Sequence, residues 1–217
     1  MKPRCSKQRN HALTLVEVVL VIFVLFVLAA ILSPSNGGAK KKAKKMACTS
    51  NLKQVGLAEK IWASDHGGKF PFEVVTTNGG TLELNNGRNT WVNFSIMSNE
   101  LSTPKILFCP ADTGRLLPAT NFSSGLPGHV SYFIGMQNDS DPQALFSGDD
   151  NFEVDGVPVK SGWLELGTNV PISWTMARHE KSGNLLLGDG SVQSTTSHGL
   201  RTCWQSTGLA TNRLVIP

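Results

Sequence analysis

The residues best equipped for chemistry sit in HEKSGNLLLGDGSV, where nine residues separate His179 from Asp189-Gly190. An imidazole and a carboxylate do acid–base work only when a nucleophile, a second base or a metal ligand stands with them. None stands at usable spacing here. The same segment reads as structure, because Asp-Gly between apolar runs is a two-residue hairpin signal whose central positions both want positive φ. His179 falls at the far end of the incoming strand, where it could hydrogen-bond to the turn or to a neighbouring loop. A structural role for His179, Asp189 and Gly190 is expected, and no catalytic residue is assigned.

The other reactive side chains are scattered. His11, His66, His129, His179 and His198 contain no i, i+4 pair, and no C-x-x-C occurs, so no zinc centre is expected. There is no G-x-S-x-G elbow. Asp139, Asp141, Asp149, Asp150 and Asp155 crowd one polar stretch. Several oxygen ligands are what calcium asks for, and Asp139, Asp141, Asp149 and Asp150 are the residues that would supply them. Their D-x-D spacing lacks the rest of an EF-hand, so a solvated acidic loop is expected, with no cofactor. The five tryptophans are read as core.

Elements must hold these residues in place. Cys48, Leu52, Val55, Ala58 and Trp62 recur at spacings of 4, 3, 3 and 4, one stripe of a helix from about Ala39 to His66 that Gly67, Gly68 and Pro71 end. The stripe is expected to pack on a sheet, with a close contact compensating Gly56. Beyond residue 67 the chain is rich in Gly, Asn, Thr and Ser. TWVNFSIM, KILFCP, VSYFIGM, NLLLGDGSVQ and RLVIP read as short strands between turns. The stretch GMQNDSDPQALFSGDDNFEVDG is expected to carry no strand beyond a few residues. An antiparallel sheet on a long helix, an α+β fold with long loops, is the natural solution.

Residues 13–32 form an apolar run long enough, at about 30 Å as a helix, to match a bilayer core. Lys2, Arg4, Lys7 and Arg9 precede it, and Lys40, Lys41, Lys42, Lys44 and Lys45 follow, so charge alone leaves the direction of insertion open. From Met46 onward 11 Lys and Arg face 15 Asp and Glu, which excludes a basic nucleic-acid-binding body. Glu17 lies inside the run. A carboxylate in lipid costs about 2.5–3.5 kcal/mol even on lenient insertion scales. No lysine or arginine lies within helical reach, but a chain cut before Leu13 would offer its new amino group one turn away.

ALTLVEVVLVI resembles the processing site of type IV prepilins and type II secretion pseudopilins. The resemblance implies a cut between Ala12 and Leu13, and it makes Glu17 the fifth-position glutamate that neutralises a neighbouring subunit's N-terminal amine in a filament. Ala12 stands where the family has glycine, and Leu13 where phenylalanine or methionine is commoner. Pro34, in SPSNGG, resembles the helix-kinking prolines of pilins. CTSNLKQVGLAEKIWASDHGGKFP, FCPAD, SYFIGM and the H-x9-D-G element are similar to signatures of one large subgroup of these proteins.

The resemblance implies a leader over 1–12, a membrane-spanning first half of the helix over 13–33, its second half over 34–66, and a β head over 67–217. It implies a non-enzymatic pseudopilus or pilus subunit of the bacterial inner membrane, with a single span and the head exported to the periplasm or cell surface. Its partners would be other subunits and a prepilin peptidase. Cys48 and Cys109 belong to the subgroup's motifs and are the first choice for a disulfide, with three buried thiols as the alternative. A second reading also stands. Gly37–Ala39 gives a small-x-small site after the run, which would suit an exported enzyme or binding protein with an ordinary signal peptide, or a plain membrane anchor.

Overall fold

A computed structural model of the chain describes residues 14–32, 37–85, 89–115, 117–137 and 141–217. It divides into two compact units, up to Gly38 and from Ala39 to Pro217. In the first, helix α1 runs Leu15–Leu32, and every described side chain from Thr14 to Ala29 is exposed. Among the described residues no helix is long and apolar enough to cross a membrane. Of the 13–32 run, Leu13 and the side chains beyond Ala29 lie outside the description. Residues 33–36, with Pro34 and its expected kink, also lie outside it.

Helix α2, Gly37–Asp65, opens with the lysine block and ends where Gly67 and Gly68 take positive φ. Its apolar residues buried in the body are Cys48, Leu52, Val55, Ala58, Trp62 and Ala63. They share a core with Tyr132, Ile134, Phe146 and Leu186. Gly56 is the point of closest approach: a Cβ there would lie 2.7 Å from Leu186 Cδ1. Among the described residues no long apolar N-terminal helix is found, which corrects that part of the expected fold, while the Cys48–Trp62 stripe packs on the sheet as expected. What shares the sheet's core is α2, a helix that owes its place to one apolar stripe.

The sheet is antiparallel throughout, with strands β1 Tyr132–Gly135, β2 Leu145–Asp149, β5 Gly162–Gly167, β7 Ser182–Leu187, β8 Val192–Thr196 and β9 Thr211–Ile216 in the order β5-β9-β1-β2-β7-β8. A second sheet joins β3 Phe152–Val154, β4 Val157–Pro158 and β6 Ile172–Trp174 in the order β4-β3-β6. Strands β1, β2 and β7, at the centre of the larger sheet, are buried along their whole length, so both of their faces meet a core. Tyr132, Ile134, Phe146 and Leu186 point into the α2 core. Their neighbours Phe133, Leu145, Leu185 and Leu187 point the other way. There they meet Trp174, Leu200 and Trp204, the last two from helix α5, Ser197–Ser206.

Three local expectations change. TWVNFSIM is not a strand but helix α3, Thr90–Ile96, followed by the single turn α4, Ser98–Leu101. KILFCP opens with a 3₁₀ turn, Pro104–Leu107, because Pro104 removes a ladder donor and Thr103 Oγ1 caps Lys105 N. The aspartate-rich stretch carries the five-residue strand β2, buried along its whole length.

Candidate functional site

Four segments distant in sequence converge at one place in the body. Cys48 comes from α2 and Cys109 from the extended residues after the 3₁₀ turn, and their sulfurs are bonded. Asp149 ends β2, and His179 stands just before β7. One ligand atom from each of these four lies within 4.8 Å of the other three. His179 Nε2 is 3.3 Å from Cys109 Sγ and 3.6 Å from Asp149 Oδ2. The imidazole and the carboxylate are essentially closed to solvent, at 1% and 0% exposure.

Backbone geometry aims the histidine. His179, Glu180 and Lys181 have φ of 50°, 52° and 60°, three successive non-glycine residues in the left-handed region. Each costs about 1–2 kcal/mol, so neighbouring contacts must hold the turn. Contacts to the turn come from α2, through the exposed Lys41–Glu180 ion pair and the 2.9 Å bond from Lys45 Nζ to Ser182 Oγ, while Ser182 Oγ donates to the His179 carbonyl. Burial, with Lys45 and Arg178 nearby, pushes His179 down to about 4, so its ring is neutral at pH 7. Burial pushes Asp149 up to about 6, against the opposing pull of Arg178 and of hydrogen bonds from Asn184.

Asp149 Oδ2 accepts from Asn184 N at 2.8 Å and from Asn184 Nδ2 at 2.9 Å, whereas Asp149 Oδ1 is buried without a hydrogen-bond partner. Asn184 is fixed in turn, its Oδ1 accepting from Thr49 Oγ1 and Ser194 Oγ. Beside this group lies a buried ion network. Arg115 bridges Asp112 at 2.8 Å and Asp150 at 2.7 Å, and Arg178 bonds the same two carboxylates and the Ser131 carbonyl. Ser131 Oγ donates to Asp112 at 2.8 Å.

The residues singled out from sequence are therefore dispersed in part. His179 does not meet the Asp189-Gly190 turn, because the whole of β7 separates them. The turn itself differs from the two-residue form. Gly190 has φ +86°, while Asp189 is not left-handed, and Gly190 N donates to the Leu187 carbonyl as Leu187 N donates to that of Ser191. That is a three-residue hairpin with a bulge glycine. Asp189 Oδ1 accepts from Ser191 N, which with Ser191's side chain holds the Asp189 carboxyl below its usual range.

The four aspartates named for calcium do not form a shared site among the described residues. Asp150 is neutralised by two arginines, Asp141 Oδ1 accepts from Gln143 N, and Asp139 lies outside the description. Ala12 and Leu13 lie outside it as well. Glu17 is described, and its Oε2 accepts from Thr14 N at 3.3 Å while Thr14 Oγ1 accepts from Glu17 N at 3.3 Å. This is a capping box at the start of α1, T-x-x-E, a signal the sequence carried and the reading of Glu17 as a docking charge passed over. Cys203 stays a buried free thiol, pushed up by burial.

The convergence of Cys48, Cys109, Asp149 and His179 was not visible in spacing, since each comes from a different element. No protein-family model, curated protein or solved structure matches the chain.

Proposed function

We propose that this protein is a pilin-like structural subunit, inserted by its N-terminal helix and assembled into an envelope filament of the pseudopilus or type IV pilus kind. The observation that carries the reading is α1. Its apolar side chains are exposed on all sides, with Val18, Leu20, Phe23 and Phe26 at 43–76%, and a carboxylate in the first turn is its one charge. Surface of that kind is stable only when lipid or other helices cover it. A body mildly acidic in sequence, carried behind a block of five lysines, suits a head held off an anionic membrane surface. Processing at Ala12–Leu13 by a prepilin peptidase belongs to the same reading.

Glu17 has two accounts, a capping box within its own chain and a charge for the amine of a neighbour. Glu17→Gln separates them, because glutamine serves in a capping box but carries no charge. The filament reading expects Glu17→Gln to insert normally and fail to assemble, scored by cysteine cross-linking of subunits in the native membrane. Assembly at the level of the unaltered chain would leave only the cap, and the filament role of Glu17 would be withdrawn. The alternative, a plain anchor or a signal peptide carrying an exported body, has the small-x-small site Gly37–Ala39 in its favour and leaves the T-x-x-E placement of Glu17 without a role beyond the cap.

A further inference from the structure

We propose that the reduced protein holds a tetrahedral transition-metal ion of the zinc class on Cys48, Cys109, His179 and Asp149, and that this ion and the Cys48–Cys109 disulfide are alternative occupants of one site.

The donor set is two sulfurs, one imidazole nitrogen and one carboxylate oxygen, which matches what zinc takes in closed sites. Bond lengths of about 2.3 Å to sulfur and about 2.0–2.2 Å to nitrogen and oxygen put tetrahedral ligands about 3.3–3.8 Å apart. Cys109 Sγ to His179 Nε2 at 3.3 Å already has that separation, and the Asp149 carboxylate lies beside the same nitrogen, its Oδ2 3.6 Å away. The same imidazole nitrogen faces both the sulfur and the carboxylate, so it is directed into the group rather than past it. The two sulfurs must part, which reduction permits by rotation of the cysteine side chains, and the remaining pairs already lie within 4.8 Å of one another.

Two further observations point to a ligand. Asp149 is wholly buried, yet its Oδ1 has no hydrogen-bond partner, an arrangement that burial ordinarily penalises. Its other oxygen is held by Asn184, whose own carbonyl is held by Thr49 and Ser194. That is the outer-shell support that fixes a ligating carboxylate. Two thiolates and a carboxylate around a dication leave one net negative charge, and Lys45 is the cation close by to meet it.

The exchange is stoichiometric. A dithiol reductant gives two electrons and two protons to the disulfide and is itself oxidised to a disulfide. Cys48 and Cys109 become thiols, and the incoming ion displaces their two protons. The strained turn at His179–Lys181 has a purpose in this account, because it holds the imidazole over the two sulfurs whichever occupant is present.

The test uses the full chain in detergent, reduced with a dithiol and titrated with Co²⁺ alone, then with Zn²⁺ in competition. The expected result is one Co²⁺ per chain with intense tetrahedral bands and a thiolate-to-cobalt charge-transfer band, none of which the oxidised chain gives. His179→Ala and Asp149→Asn should each weaken binding by more than the about 10–100-fold that loss of an outer-shell partner costs, and Asn184→Ala by about that amount. Cys203→Ser should change nothing. X-ray absorption on the unaltered Zn²⁺ form needs no variant, and should count two sulfurs with two lighter ligands. Failure of a reduced, folded chain to bind Co²⁺ would overturn the proposal. So would binding that His179→Ala and Asp149→Asn leave intact, or a shell without two sulfurs. None of these outcomes touches the filament reading, which rests on α1.

Discussion

Glu59 shows what a single buried residue costs. It sits on the buried side of α2, 5% exposed, with Oε2 unpartnered. Burial pushes its carboxyl up to about 8, against a smaller opposing pull from Lys60. The sign follows from proton counting. Between about 4.5 and 8 the unfolded chain has released this proton and the folded chain has kept it, so stability falls as pH rises across that window. The slope approaches about 1.4 kcal/mol per pH unit where the two states differ by a full proton. Glu59→Gln should match the unaltered chain near pH 4 and be the more stable of the two near pH 8, read by urea unfolding at both pH values. Parallel pH profiles would show that Glu59 finds a partner.

Arg178 makes the opposite case. It bonds two carboxylates and a backbone carbonyl while only 6% exposed. Removing it as Arg178→Ala should cost about 3–5 kcal/mol, because Asp112 and Asp150 stay buried with less compensation. Arg178→Met combined with Asp150→Asn should cost less than the sum of the single changes. Denaturant midpoints for the four chains of that cycle decide it.

At the scale of elements, the helix and the hairpin were the legible parts, for definite reasons. The stripe Cys48, Leu52, Val55, Ala58 and Trp62 has the helical period, and one face of α2 is buried along it. NLLLGDGSVQ names its own strand, turn and return, although Gly190 alone takes the left-handed conformation. TWVNFSIM was misread because β-branched and aromatic residues sit equally well on a short amphipathic helix once tertiary contacts cover one side. The site was illegible. Its four donors come from α2, a loop, the end of β2 and a left-handed turn, and no spacing links them. The pairing of Cys48 with Cys109 was readable only through motif resemblance, not from their separation of 61 residues. Gly56 gives a prediction of this scale. Alanine would gain about 1 kcal/mol of helix propensity and lose about 1–3 kcal/mol by pressing on Leu186, whose side chain is wholly buried. Gly56→Ala should lower the melting temperature, and a rise would mean that Leu186 can repack.

The whole molecule joins an apolar helix exposed on all sides to a body with two cores, one on each face of an antiparallel sheet. The body has its own burial, its own ion network and its own disulfide, so it has no need of α1 for a core. The proposed filament reading assigns that helix to anchoring and assembly in turn. The most direct test is the intact mass and N-terminal residue of the protein recovered from its native membrane. The account predicts a chain that begins at Leu13 with a methylated amine. A chain that begins at Met1, or one that begins near Lys40, would contradict it.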